Sequence, residues 1–433
     1  VQAVYNPRVQ HAAFPDGVTR DRLIDWYRGG RKITRQLFTI PVAEAYFDRP
    51  IRLRNPIVFY EGHIPAFAVN TLIKLALKRD GIDSAFETLF ARGIDPESEE
   101  AAKTPTDFWP ARGDIQAYGR DADDLIVRAL CDGPIDDGLE PQKRNAEAAL
   151  TIVEHEQMHQ ETLLYLFHEM PYERKNPIAP IRGGGSLPRR NVVKDMVRIP
   201  AGEATLGASG SDFGWDNELP EMRVAVDSFS IDRHDVTNGD YLEFITATNR
   251  TPPHFWAERD GAWQWRGMFA LAPLPLDAPV YVTHDEADAY AAWRGKRLPS
   301  ESEYHRAAFG SPAGEERRFP WGDALPDPTR GNFGFTHWDP VPIGSYPAGA
   351  SAWGVEDLIG NGWEWTSTAF DGFPGFVPMP SYPLYSADFF DGKHYVMKGA
   401  SPATAPELIR RSFRNWFRPG YPYVYATFRC AHD

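Results

Sequence analysis

His155-Glu156-Gln157-Met158-His159 is the stretch on which the reading of this chain turns. Two histidines four residues apart on a helix project from one face, one turn apart, so both imidazoles reach a single metal ion. The run around them, Asn145 to Glu169, is rich in the good helix formers Ala, Leu, Glu and Gln, and Pro171 stops it. A third candidate ligand, His63, lies far upstream. A metal held by these residues makes the chain an enzyme rather than a scaffold.

Working outward, the first half reads as helices. Thr19 is placed to cap a helix running to about Ile40, with Asp21 in its first turn. Asn55-Pro56 reads as a cap followed by proline at the first helical position, and that helix runs towards Lys78 with a kink at Pro65. Asp121 to Asp132 reads as a third helix, its acids Asp121, Asp123 and Asp124 a charged helix start rather than a metal site. The segment with His155 and His159 is the fourth. Four such helices suggest a bundle, in which metal sites are built from side chains on facing helices. His63 on the second helix and the pair on the fourth suit that. His168 reads as structural, a partly positive imidazole complementing the helix end. Neither His11 nor His234 has a partner that the sequence indicates.

A length of 433 residues exceeds one ordinary core and implies two domains. Residues 176–195 hold Pro177, Pro180, three glycines at 183–185, Pro188 and Arg189-Arg190, which is linker composition. The division expected is therefore 1–175, 176–195 and 196–433. Beyond Met196 the chain is rich in Gly, Pro, Trp and Tyr, with helices legible only at Asn238 to Thr248, His284 to Arg294 and Ser300 to Phe309. Short strands and turns fill the rest, so the fold class expected is α+β. A net charge of -14 argues against nucleic acid and anionic membranes as partners. No apolar run reaches the length of a membrane span, and the first residues lack the pattern of a signal peptide. Two cysteines, Cys131 and Cys430, give no disulfide framework. The expectation is a soluble cytoplasmic protein.

Four motifs in the second half carry a resemblance. Arg198-Ile199-Pro200-Ala201-Gly202 runs on through Glu218-Leu219-Pro220 to Asp235-Val236-Thr237-Asn238. Lys296 to Tyr304, Gly360 to Thr366 and the closing Phe428-Arg429-Cys430-Ala431 follow in order. Together they resemble a formylglycine-generating-enzyme (sulfatase-modifying factor) domain, which implies a compact, C-type-lectin-like α+β fold. The oxidase chemistry of that enzyme does not carry over, because it needs a copper-binding cysteine pair and Cys430 stands alone. Related folds hold a structural calcium, for which no ligands are assigned here. The helical half resembles a DinB-like four-helix bundle, a superfamily that commonly carries a three-histidine metal site. That bundle followed by this domain is the architecture of the ergothioneine sulfoxide synthases (EgtB), and Asn55 to His63 is similar to their first-ligand segment.

The resemblance implies iron(II) on His63, His155 and His159, with hercynine (trimethylhistidine), a thiol and O2 as substrates. It implies oxidative bond formation at C2 of the hercynine imidazole. It places an active-site tyrosine in Pro380 to Tyr385, at Tyr382 with Tyr385 second. Arg414-Asn415-Trp416 matches the hercynine pocket, where Trp416 offers an aromatic face to the trimethylammonium group and Asn415 lies beside it. Phe417 and Met158 depart from the pattern, standing where several of these enzymes have an acid and a glutamine. Of the arginine pair that clamps γ-glutamylcysteine only Arg112 is a plausible remnant. Losing an amino-acid anchor points to a donor that is not an amino acid, hence to the selenoneine synthase (SenA) branch with a selenosugar donor. The alternative is a synthase using γ-glutamylcysteine or cysteine.

Two rivals remain. His-Glu-x-x-His is also the zincin protease motif, with Glu156 as general base, but no third zincin ligand follows before Pro171. In the iron reading Glu156 is free to be a solvated helix residue. A lectin-like fold with a degraded metal site would instead be a non-catalytic binding module.

Overall fold

The computed structural model describes residues 18–91, 108–138, 140–184, 187, 190–209 and 213–433. Its helical half holds α1 (Arg20–Leu37), α2 (Ile57–Ala68), the short α3 (Ser84–Leu89), α4 (Arg112–Asp132) and α5 (Glu147–Glu169). α1 and α2 each pack against both α4 and α5, which closes a four-helix bundle. Leu23, Phe67, Ile126 and Ile152, one from each, meet in its core.

Local chemistry explains where these helices begin and where the sequence misleads. Thr19 Oγ1 accepts from the Arg22 amide at 3.2 Å, the expected cap, and α1 ends at Leu37 rather than Ile40. Asn55 is not a cap. Pro56 takes that position in an extended conformation, and α2 opens at Ile57 without a side-chain cap. Pro65 sits inside α2, and the chain then widens into a π-helix over Val69–Ala76, so the expected kink becomes a change of helical type. α4 starts well before Asp121. The three acids are therefore mid-helix, and Asp123 accepts from Tyr27, Arg31 and Arg35 of α1. His11 and Arg189 lie outside the described residues.

The second half is α+β, as expected. In chain order it runs β1 (Met196–Ile199), β2 (Gly202–Leu206), β3 (Met222–Val226), β4 (Phe229–Asp232), α6 (Asn238–Thr248), β5 (Trp256–Arg259), β6 (Ala262–Arg266) and β7 (Leu271–Pro273). There follow α7 (His284–Trp293), α8 (Glu301–Phe309), β8 (Gly362–Ala369), β9 (Tyr395–Ala400), β10 (Asn415–Phe417), β11 (Ala426–Thr427) and β12 (Ala431–His432). Each helix opens with a reciprocal capping box: Thr237 with Asp240, Thr283 with Glu286, Ser300 with Glu303. The largest sheet has the order β10-β9-β8-β11, and the others are short. Within it Trp416 of β10 pairs with Val396 of β9.

The two halves share one core. Phe38, Tyr60 and Phe167 of the helical half join Trp215, Trp363 and Tyr425 of the other in a single apolar cluster. The stretch with linker composition is no free tether where it is described. The Asn176 amide donates to the Ile40 carbonyl at 2.7 Å, and Arg190 donates to the Gly344 carbonyl and pairs with Glu356, both at 2.9 Å. Both cysteines are free thiols, Cys131 exposed and Cys430 buried. No helix among the described residues is long and apolar enough to cross a membrane.

Candidate metal centre

Three faces of α5 organise the site. Residues seven apart on a helix nearly eclipse one another. Glu147, Glu154, Glu161 and His168 form such a row, and all four bind the second half. Glu147 accepts from the Ser381 amide and hydroxyl at 2.9 and 2.7 Å. Glu154 accepts from Trp215 Nε1 at 2.8 Å and takes Arg410 in a two-point ion pair at 2.7 and 3.0 Å. Glu161 accepts from Trp363 Nε1 and Ser401 at 2.7 Å, from Thr404 at 2.9 Å and from Tyr165. His168 sits between the Tyr425 hydroxyl at 3.0 Å and the Arg266 carbonyl at 2.6 Å. Burial pushes its imidazole down to about 4, so it is neutral and does not complement the helix end by charge.

A second face points back at α1. Glu156 accepts from Thr34 Oγ1 at 2.6 Å and pairs with Arg31 at 3.0 Å, and it is buried. It is neither the solvated residue nor the zincin general base that the sequence allowed, because an ion pair inside the bundle already holds it.

The third face carries the candidate metal ligands. His155 and His159 project from α5 towards His63 on α2, and one candidate ligand atom from each lies within 4.8 Å of the others. The Nε2 atoms of His155 and His159 are 3.1 Å apart. Two ligands about 2.1 Å from a shared ion and near 90° apart lie about 3 Å from each other, so this spacing fits. His63 Nδ1 donates to the Phe90 carbonyl at 2.9 Å, which leaves its Nε2 lone pair for a metal. Burial pushes His63 down to about 4. It also pushes His155 and His159 well below the ordinary value, and neighbouring charges add to that. Neutral imidazoles are the ligating form. Aromatic rings fix their planes: Phe67 stacks on His155 at 3.5 Å and Phe59 on His63 at 4.9 Å. An all-imidazole set suits a first-row divalent ion and leaves coordination positions open. Among the described residues this is the one such group, and no calcium ligand set emerges in the second half.

The loop before η-turn Ala387–Phe389 brings both expected tyrosines to this centre. The Tyr382 ring lies 6.2 Å from that of His155 and 5.2 Å from Phe67. Tyr385 is set behind it, tilted against Trp215 with ring centres 4.1 Å apart, its hydroxyl 3.2 Å from the Met158 sulfur. Burial pushes the Tyr385 phenol well above 10, so it stays protonated. Trp416 stands 5.3 Å from Tyr385, stacked on Phe370 at 4.1 Å, with Phe389 at 5.7 Å. Ser386 accepts from Asn217 and donates to Asp216 behind that aromatic group.

Other expected site residues go elsewhere. The Asn415 side chain accepts from the Trp416 amide at 2.9 Å. Phe417, next along β10 and on its opposite face, stacks on Tyr421 at 5.1 Å. Arg112 pairs with Glu61 at 3.1 Å, donates to the Phe38 carbonyl and lies over Tyr46, so it is no clamp at the triad. His234 does have a partner, Asp357 Oδ2 at 3.0 Å. The residues that sequence reading missed are the glutamates of α5. Their seven-residue spacing was visible, but a charged row reads as a solvated face until its partners are known.

Known proteins resemble this chain in sequence. Residues 185–433, more than half of the chain, match the Sulfatase-modifying factor enzyme 1-like domain family. Hercynine oxygenase of Mycolicibacterium smegmatis is 38% identical over 309 residues, covering 65% of this chain and 71% of that one. The chain belongs to the hercynine oxygenase family. The family's protein from Mycobacterium tuberculosis is 36% identical, covering 68% of this chain and 73% of its own. Ergothioneine biosynthesis protein 1 of Schizosaccharomyces pombe is 31% identical, covering 87% of this chain and 51% of its own. Among solved structures, PvdO from Pseudomonas aeruginosa overlays with a TM-score of 0.43 at 25% identity, covering 55% of this chain and 94% of that one. In this hercynine oxygenase family member the three histidines all precede the matched domain, so the candidate ligands come from the helical half alone.

Proposed function

We propose that this chain is an iron(II)- and O2-dependent enzyme that joins a thiol sulfur to C2 of the hercynine imidazole, releasing a sulfoxide. The observation that carries the reading is the triad His63, His155 and His159, preorganised and neutral, the first two buried and His159 half-buried. The relatives' names supply the substrate, hercynine, and the product class, ergothioneine precursors. They favour a thiol donor over the selenosugar expected from Phe417 and Met158, which then stand as tolerated substitutions. The atoms balance: C2–H and S–H break, C–S and S–O form, and the second oxygen atom leaves as water.

Iron(II) bound by His63, His155 and His159 would supply the O2 chemistry and open positions for sulfur and imidazole. The chain's own residues do the rest. Tyr382, beside His155, is placed to hold or deliver a proton at its phenol oxygen. Trp416, Tyr385 and Phe389 form an aromatic wall for a trimethylammonium group. Phe67 and Phe59 cover the ligand rings and keep water from that side.

A mass-spectrometric competition tests this. Iron(II)-loaded protein receives hercynine, O2, γ-glutamylcysteine, cysteine and a selenosugar together. A hercynine sulfoxide adduct of a thiol is the expected product. A hercynine–selenium adduct would restore the selenosugar reading, and no C2 adduct at all would sink the function proposed.

A further inference from the structure

The segment between β8 and β9, residues 370–394, carries both tyrosines of the site. From Met379 onward it runs through tight turns. The Tyr382 amide donates to the Met379 carbonyl at 3.2 Å, the Tyr385 amide to the Tyr382 carbonyl at 3.1 Å and the Phe389 amide to the Ser386 carbonyl at 2.9 Å. These bonds set the local shape. They do not set where the turns sit against the helical half, and Pro380 and Pro383 have no N–H to offer.

Burial in this segment runs against hydropathy. Leu384 is 51% exposed, whereas Ser381 is 4% and Ser386 0% exposed. A buried hydroxyl is costly unless it is hydrogen-bonded, and each of these serines is bonded to a carboxylate. Ser386 donates to Asp216 and accepts from Asn217. Ser381 gives its amide and its hydroxyl to one oxygen of Glu147, at 2.9 and 2.7 Å. Bonds to an ionised acceptor are the strong ones.

Glu147 is the first residue of α5, and His155 follows about two turns, or about 12 Å, along the same helix. Tyr382 is the residue after Ser381, and its ring lies beside Phe67 and His155. One rigid helix thus carries two candidate ligands and, at its start, the anchor of the tyrosine loop. We propose that Glu147 is a positioning residue: by holding Ser381 it keeps the Tyr382 phenol at the three-histidine centre. The chemical use of that phenol rests on the function proposed above. The helix dipole by itself also favours an acid in the first turn, which would make Glu147 a matter of stability only.

Hydrogen exchange of the whole protein, read by mass spectrometry, tests the anchor without turnover. Glu147→Ala is expected to speed exchange across 379–389 at least about tenfold and to leave 150–165 unchanged. Glu147→Gln, whose amide oxygen accepts the same two bonds, is expected to restore most of the protection. Ser381→Ala approaches the contact from the loop and should loosen it in the same direction. Unchanged exchange in Glu147→Ala overturns the anchor, and so does Glu147→Gln if it is as loose as Glu147→Ala.

Turnover of iron(II)-loaded protein with hercynine, cysteine and O2 then reads the placement of the phenol. Glu147→Ala should lower kcat for coupling about tenfold, with the KM for hercynine and the iron content unchanged. A double variant with Tyr382→Phe should be no slower than Tyr382→Phe alone, because the two changes remove one effect. Losses that multiply, a lower iron content, or wild-type coupling in Glu147→Ala would each overturn the positioning role and leave the hercynine reaction standing. The absence of any C2 adduct from the unaltered protein would remove the hercynine reaction instead, and faster exchange in Glu147→Ala would still support the anchor.

Discussion

Two faces of α5, roughly 130° apart, use polar side chains in opposite ways. On one, Glu147, Glu154, Glu161 and His168 are saturated with partners from the second half. On the other, His155 and His159 turn Nε2 atoms to each other and to His63, and among the described residues no donor or acceptor from the second half binds them. The first face is complete and fastens the halves. The second is an incomplete face whose imidazoles form a donor set that fits a metal ion. The difference teaches that burial alone does not mark a functional group. What marks it is a buried polar atom aimed at space that the chain does not fill.

The largest effect expected comes from breaking the incomplete face. His155→Ala should drop the iron content from about one per chain to background, with coupling lost, while the fold survives. Metal analysis beside circular dichroism reads both. Full iron content in that variant would remove His155 from the centre.

Glu161→Ala attacks the complete face. It strands donors from Trp363, Ser401, Thr404 and Tyr165 inside the core. The loss in unfolding free energy should be about 3 kcal/mol or more, measured in denaturant, with the iron content of the folded fraction unchanged. A loss of iron without loss of stability would merge the two faces and contradict their separation.

Acid should loosen the complete face through His168. Its folded pKa, about 4, lies below its ordinary 6.5, because burial favours the neutral ring. The unfolded chain therefore binds this proton first. The stability due to His168 is present above pH 6.5 and is lost as pH falls from there towards 4, up to about 3 kcal/mol. His168→Gln should flatten that part of the stability–pH curve. An unchanged slope would show that His168 titrates alike in both states.

The smallest effect expected is kinetic. Tyr382→Phe should slow coupling about ten- to a hundredfold, as loss of a general acid does, or divert it to thiol oxidation, with hercynine still bound. Wild-type coupling kinetics would take Tyr382 out of the chemistry.

Much of the metal face was legible in the sequence, because helical periodicity turns spacing into direction. His155 and His159 needed only the rule that residues four apart share a face. His63 needed the resemblance, since nothing local ties α2 to α5. The fastening face was visible as a seven-residue row but not interpretable, because its partners Trp215, Trp363, Ser401 and Arg410 are remote in sequence. The second half was legible in its helices, whose capping boxes are local. Its short strands were not, since their pairing is set by contacts such as Trp365 with Met397. Asn55 misled because an Asn-Pro pair fits a cap pattern, whereas here the extended Pro56 occupies that position. Arg112 misled because its partner Glu61 cannot be found from sequence.

The central claim is that the incomplete face of α5 serves bond formation at C2 of hercynine. Hercynine deuterated at C2, given with cysteine and O2 to the iron(II)-loaded protein, tests it most directly by mass spectrometry. The account predicts a sulfur adduct that has lost the deuterium, formed only when iron, thiol and O2 are all present. An adduct that keeps the deuterium, or deuterium loss that needs no thiol, would contradict it.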